Sequence, residues 1–517
     1  MTAPGDEQDE SRQGPRPRDS GLLLHPTSLP GPHGIGDLGD AAYRWLEFLA
    51  AGGQQVWQVL PLGPPGFGES PYAARSAFAG NPLLISLDRL VVDGLLEAGE
   101  LAGAPAGGPR VDFPAVAAFK SPLLRRACDR FRGGGGPERP EYQGFLAENV
   151  SWLDDYALFT AIRETHGGQA WNTWETALVR REERAIAEAR ATYAEAADLE
   201  RFVQFIFWQQ WGALKVAAAA RGIGIVGDIP IFVAHDSADV WADQDLFLLD
   251  RDGNPTVVAG VPPDYFSPTG QRWGNPLYRW ERLAETGYGW WVERFRAVLR
   301  AVDIVRIDHV RGFEAYWEVP AAEETAVHGR WVKGPGQPFF AAVSAVLGPL
   351  PVIVEDLGLI TRSVDELRDA LGYPGMRVLQ FAFGDDSTNP YLPHNYDWNS
   401  VVYTGTHDND TTEGWFAALS EPERARVVRY SCDGPESVSQ KLIRMALGSV
   451  ARTAIVPLQD VLGLGREARM NVPGWGDGNW SWQAAPEQID PERAAWLAEM
   501  MELYGRAARP YSVTSNA

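Results

Sequence analysis

Eight short stretches of the chain are apolar and β-branched at successive rather than alternating positions: 20–30, 54–63, 222–233, 302–310, 350–358, 376–384, 400–408 and 452–463. Such runs mark strands buried on both faces, as in a parallel sheet. Several are preceded by segments whose apolar residues recur every three or four positions, for example RWERLAETGYGWWVERFRAVLRAV (279–302), and these predict helices. Strand and helix in alternation predict an α/β fold, and eight strands in order predict a closed (β/α)8 TIM barrel.

The second and third runs lie roughly 160 residues apart, far more than one crossover helix requires. Residues 83–205 therefore read as an inserted, mainly helical subdomain on the barrel rim, and 201–220 as the helix that returns to the barrel. No repeat of 20–50 residues is evident, which argues against a solenoid. Residues 1–20 have almost nothing to bury and are expected to be a disordered tail, leaving 21–517 as the catalytic barrel with long rim loops. The tail lacks the apolar core of a signal peptide and no 18-residue apolar run occurs, so the expected location is cytoplasmic.

A formal net charge of −22, from 68 acidic and 46 basic side chains, disfavours nucleic acid and anionic membrane as partners. Two cysteines, Cys128 and Cys432, are too few for a disulfide framework or a thiolate metal site, although a single bridge stays open. DRDGNP (250–255) lacks the alternating acids of a calcium loop and reads as a turn at Asp252 and Gly253. No metal or cofactor is expected.

Three of the runs end in a carboxylate: Asp308, Glu355 and Asp408. In a parallel barrel the C-terminal strand ends form the mouth of the active site. Three acids converging there suit a glycosidic bond, whose cleavage needs a proton donor, a nucleophile and something to steady a cationic transition state. In VRIDHV, period-two alternation puts Arg306 and Asp308 on one face, a cation beside a candidate nucleophile or, equally well, an ordinary strand-end ion pair. Glu355 fits a buried general acid, ahead of its neighbour Asp356, and a helix N-cap after the strand fits Asp356 at least as well as Glu355. Of 20 Trp, 16 Tyr and 21 Phe, those in polar Gly/Pro-rich segments, Phe67, Tyr72, Tyr265, Phe266 and Trp273, are candidates to stack on sugar rings.

Long motifs then carry a resemblance: LLLHPTSLPGPHGIGDLG, GDIPIFVAHDSADVWA, GVPPDYFSPTGQRWGNPLY, VRIDHVRGFEAYWEVP, VIVEDLG and YTGTHDNDT. From about Gly21 onward the chain resembles the 4-α-glucanotransferases of the amylomaltase type, glycoside hydrolase family 77. The resemblance implies a retaining α-1,4-glucan transferase that acts on maltooligosaccharides and starch chains without a cofactor. It implies Asp308 as nucleophile, Glu355 as general acid/base and Asp408 as transition-state stabiliser. It further implies that Asp228, Arg306 and His407 hold the sugar at the cleavage point, with Ser70, Tyr72, Asp264, Gln271 and Trp273 along the groove. At Phe67 the family commonly carries tyrosine. The other readings are an amylase-type α-glucan hydrolase, a catalytically silent carbohydrate-binding scaffold, and a metal-dependent barrel isomerase, which the missing His/Glu ligand pattern disfavours.

Overall fold

The structure, a computed structural model, describes residues 17–263, 267–431 and 434–507. Eight parallel strands close into a barrel: β1 (Asp19–Leu23), β2 (Val56–Gln58), β3 (Gly224–Pro230), β4 (Ile304–Asp308), β5 (Val352–Val354), β6 (Gly375–Val378), β7 (Ser400–Tyr403) and β8 (Thr453–Pro457). Each falls on one of the eight apolar runs, to within a residue at its start. Closure comes from β1 pairing with β8, Asp19 opposite Thr453 and Leu23 opposite Pro457.

Alternation along each strand explains why the runs are apolar throughout. Leu23, Val56, Val226, Ile353, Met376, Val401, Tyr403 and Ile455 pack together in the lumen. Leu22, Trp57, Ile225, Ile307, Val354, Val402 and Ala454 face outward into the core shared with the helices. In register, β4 sets Arg306 beside Asp228 of β3 and Asp308 beside Pro230, and this shear decides which side chains meet at the mouth.

Strand β1 begins at Asp19, inside the stretch expected to be disordered. The Asp19 N–H donates to the Arg452 carbonyl at 2.8 Å and the Arg18 guanidinium donates to the Ser449 carbonyl at 2.6 Å, so strand pairing and a side-chain hydrogen bond order the start of this polar segment. Residues 1–16 lie outside the described residues.

Between β2 and β3 the chain is mainly helical, including Phe113–Gly133, Pro140–Glu148, Leu153–Thr165, Glu183–Thr192 and the long Ala194–Ala219. The last of these packs against the barrel, where its Trp211 indole donates to the Ala301 carbonyl at 2.9 Å. Two glutamines on it hold the loop that follows β2. Gln204 accepts from the Gly80 N–H at 2.7 Å and donates to the Gly80 carbonyl at 2.9 Å. Gln210 does the same at Ser86, at 2.7 and 3.1 Å.

Lys120, fully buried on helix Phe113–Gly133, donates to the Leu83 and Ile85 carbonyls at 2.7 and 2.8 Å and pairs with the buried Asp37 at 3.4 Å. Replacing it with methionine strands Asp37 as an unpaired buried charge, a loss of about 3 kcal/mol. In chemical denaturation the midpoint of Lys120→Met is expected to fall, and Asp37→Asn in the same chain to restore part of it.

A four-stranded antiparallel sheet stands on the rim, in the order Gln271–Pro276, Val257–Val261, Ala315–Pro320, Arg330–Lys333. Gln271–Pro276 and the end of Val257–Val261 lie in the Gly/Pro-rich stretch GVPPDYFSPTGQRWGNPLY, where composition predicts a loop rather than strands. The helical stretch 279–302 divides into Trp280–Glu285 and Gly289–Ala301 because Gly287 and Tyr288 adopt left-handed backbone (φ 63° and 57°). At 250–255, Asp250 accepts from the N–H groups of Asp252 and Asn254, and Gly253 (φ 80°) turns the chain where a side chain would strike Trp171. Cys128 is a buried free thiol, and Cys432 lies outside the described residues. Among the described residues no helix is long and apolar enough to cross a membrane, and no cluster of His, Cys, Asp and Glu could hold a metal ion.

Candidate active site

Arg306 is the centre of the mouth. It points inward from β4, almost completely buried, and its guanidinium reaches three acids: Asp228 at 2.5 Å, Asp308 at 3.0 Å and Glu355 at 3.4 Å. Asp228 comes from β3, Asp308 from the end of β4 and Glu355 from the residue after β5, so strand register assembles the group. Period-two alternation explains Arg306 and Asp308 sharing the luminal face while Ile307 joins the helical core.

Glu355 and Asp308 are neighbours on the same guanidinium. Burial raises the Glu355 carboxyl well above its usual range and the neighbouring Asp308 adds to this, while Arg306 and a 2.6 Å hydrogen bond from the His309 N–H oppose it. Asp228 is likewise raised, to about 7, by burial, against the pull of Arg306 and the Tyr72 hydroxyl. That hydroxyl donates to Asp228 at 2.7 Å, and Ser70 in turn accepts from the Tyr72 N–H at 3.2 Å. Among the described residues the second Asp228 oxygen has no hydrogen-bond partner.

On the opposite wall, His407 and Asp408 follow β7. Burial lowers the His407 imidazole below its ordinary value, which keeps it neutral. Its ring stacks on Tyr72 at 5.0 Å between centroids, and Trp480 leans on both rings at 5.7 and 5.8 Å. Asp408, with its side chain 47% exposed, opens toward the mouth, 3.4 Å from His407.

Gln271 and Trp273 sit together on the rim sheet, the indole donating to the Gln271 side chain at 3.2 Å. Trp273 meets the His309 ring edge-to-face at 4.9 Å, which ties the rim sheet to the end of β4. Phe67 stands apart on an outer turn, 85% exposed. Asp264, Tyr265 and Phe266 lie outside the described residues. Asp356 does not cap the following helix, which starts at Arg362 with Thr361 at its N-cap. It accepts instead from Arg368 at 2.6 Å and from the Met376 N–H at 2.7 Å, a buried anchor pointing away from the mouth.

Three residues at the mouth escaped the sequence reading. His309 follows Asp308 with φ 54°, a conformation costly for a residue with a Cβ and concentrated at functional sites. Trp480, also left-handed (φ 61°), and Asn471 come from the segment after β8. The only signal for them was the Gly- and Trp-rich composition of NVPGWGDGNWSW next to the eighth strand.

A closed parallel barrel with carboxylates gathered at the C-terminal ends of its strands defines a glycoside-processing barrel enzyme. Residues 24–488 match the profile of glycoside hydrolase family 77, 4-alpha-glucanotransferase, and the chain belongs to that family. It is 52% identical over 495 residues to a 4-alpha-glucanotransferase of Thermus thermophilus, covering 94% of this chain and 98% of that one. Identity to the 4-alpha-glucanotransferase of Synechocystis is 50%, covering 95% and 98% of the two chains. Among solved structures, the amylomaltase from Streptococcus agalactiae in complex with acarbose is similar, with TM-score 0.93 and 38% identity over 95% of this chain and 100% of that one.

Proposed function

We propose that this chain is a 4-alpha-glucanotransferase that moves α-1,4-glucan segments between maltooligosaccharide or starch chains by a retaining double displacement. One guanidinium reaching three acids, among them a Glu355 carboxyl that burial raises well above its usual range, carries this reading.

Asp308 attacks the anomeric carbon as the Glu355 proton passes to the leaving glycosidic oxygen, giving a β-linked glucosyl-enzyme and a shortened glucan. Glu355, now a carboxylate, takes the proton of an incoming 4-hydroxyl, and attack from the face that the first glucan left restores the α configuration. One guanidinium reaching both carboxyls, Asp308 at 3.0 Å and Glu355 at 3.4 Å, sets them side by side and supports the retaining course, because an inverting pair stands roughly 6.5–9.5 Å apart to admit a water. Positive charge that builds on the ring during both steps is met by Asp408 at the open side. The free oxygen of Asp228 and the neutral His407 are placed to hold hydroxyls of the same sugar, and Tyr72 supplies the flat apolar face beneath it.

Maltotriose separates transfer from hydrolysis by the same residues. Incubation is expected to yield glucose together with longer maltodextrins at a constant number of reducing ends. Reducing ends that rise in step with glucose would make water the acceptor and the enzyme an amylase-type hydrolase.

A further inference from the structure

Asp408 leaves the barrel on a segment that has no strand to hold its side chain, yet an electrostatic stabiliser acts only if it is fixed before charge develops. The fixing groups come from 63 residues away. Asn471 donates its side-chain N–H to Asp408 Oδ1 at 2.6 Å, and its backbone N–H donates to the His407 carbonyl at 3.1 Å. Arg469 clamps both partners from behind, donating Nε to the Asn471 carbonyl at 2.7 Å and Nη2 to the Asp408 carbonyl at 2.6 Å. Because an ionised carboxylate only accepts, the amide turns its NH2 toward it, and the other three hydrogen bonds hold the backbone from which the Asn471 side chain reaches.

We infer that Asn471 is a positioning residue for the transfer reaction, holding the Asp408 carboxylate in the one orientation that faces the charged sugar. The inference rests on the proposed role of Asp408. The amide does what no apolar residue of its size could: by donating to Oδ1 it prevents the half-exposed carboxylate from turning out to solvent. Trp480, whose N–H donates to the Met470 carbonyl at 2.8 Å, belongs to the same segment, so the wall of the sugar site and the support of its third acid are one piece of chain.

The charged and titratable groups around the pair are Tyr72 from the loop after β2, Arg306 and Asp308 from β4, His407 on the Asp408 segment itself, and Arg469 from the segment after β8, with Asp410 and Arg466 beyond it. Arg469 is committed to backbone carbonyls, and none of these groups offers a second proton donor to Asp408 Oδ1 except His407 at 3.4 Å.

Kinetics of maltotriose disproportionation against pH test this in four variants. Asn471→Ala is expected to lower kcat roughly 10- to 100-fold with KM changed little, since orientation is lost and the ground-state sugar contacts remain. Asn471→Asp, nearly isosteric, sets two carboxyls at hydrogen-bonding distance, so they share a proton and the acidic limb of kcat/KM moves upward by more than about one pH unit. Asp408→Asn with Asn471→Ala is expected to be no slower than Asp408→Asn alone, because the amide acts through that carboxylate. An acidic limb unmoved in Asn471→Asp, or a double variant slower than Asp408→Asn by the full factor of Asn471→Ala, overturns the inference while leaving the catalytic reading in place. Asp408→Asn within a few-fold of the parent overturns the catalytic reading itself. A melting temperature of Asn471→Asp near the parent's separates a changed titration from a lost fold.

Discussion

Asp308→Asn is expected to abolish glucan transfer, lowering kcat by roughly 10⁴-fold or more while the protein stays folded. The amide cannot form the glucosyl ester, and the neighbouring acids are placed for other tasks: one Asp228 oxygen is held by Arg306 and Tyr72, and Glu355 is the proposed proton donor. Stability should hold because the substitution removes one of three carboxyls crowded round a single cation. Glu355 feels the loss directly, since Asp308 is the second cause of its raised proton affinity, and that affinity should drop. Thermal melting and trapping of the intermediate with a glucosyl fluoride check both parts. Activity within a few-fold of the parent would remove Asp308 from the reaction.

Glu355→Gln divides the two half-reactions. On maltodextrins, whose leaving oxygen requires a proton, the rate should fall by roughly 10³-fold. From an α-glucosyl fluoride, whose leaving group needs little protonation, the glucosyl-enzyme should still form and accumulate, because no base remains to activate the acceptor. Equal loss with both donors would show that Glu355 is not the acid. The same variant carries a stability signature. In the folded parent Glu355 binds its proton more tightly than it does in the unfolded chain, so its contribution is complete at acidic pH and is lost as pH rises through the folded value. Glutamine removes that loss. The two proteins should melt together below about pH 4, and the variant above the parent near about pH 8.

The barrel was legible because both faces of its strands are buried, so eight apolar runs survive in the sequence with no alternation to blur them. The three acids at the ends of β4, β5 and β7 were legible for the same reason: each interrupts such a run. The rim sheet was not. Gln271–Pro276 carries an exposed Trp, a half-exposed Gly and a buried Pro, and its pairing with Val257–Val261 shifts register midway, so neither periodicity nor composition marks it as a strand. Asn471 and Trp480 were invisible for another reason: they reach the mouth from an irregular segment, and their contacts with Asp408, His407 and Tyr72 are set by the closure of β8 on β1 rather than by any local pattern. His309 stood in plain view beside Asp308, but its left-handed backbone is a property of the folded turn alone.

The paired amides of Gln204 and Gln210 make the long helix Ala194–Ala219 a ruler for the loop that carries Ser70 and Tyr72. Each glutamine fills both hydrogen-bonding groups of one loop residue, and the two lie six residues apart on the helix, as do Gly80 and Ser86 on the loop. A barrel pared down to its strands and their shortest crossovers would keep Arg306 and its acids but lose the measure that sets Tyr72 over Asp228. The chain between β2 and β3 is thus bound up with how this enzyme retains a glucose unit, and a graft of its acids onto a minimal scaffold would have to bring that helix along.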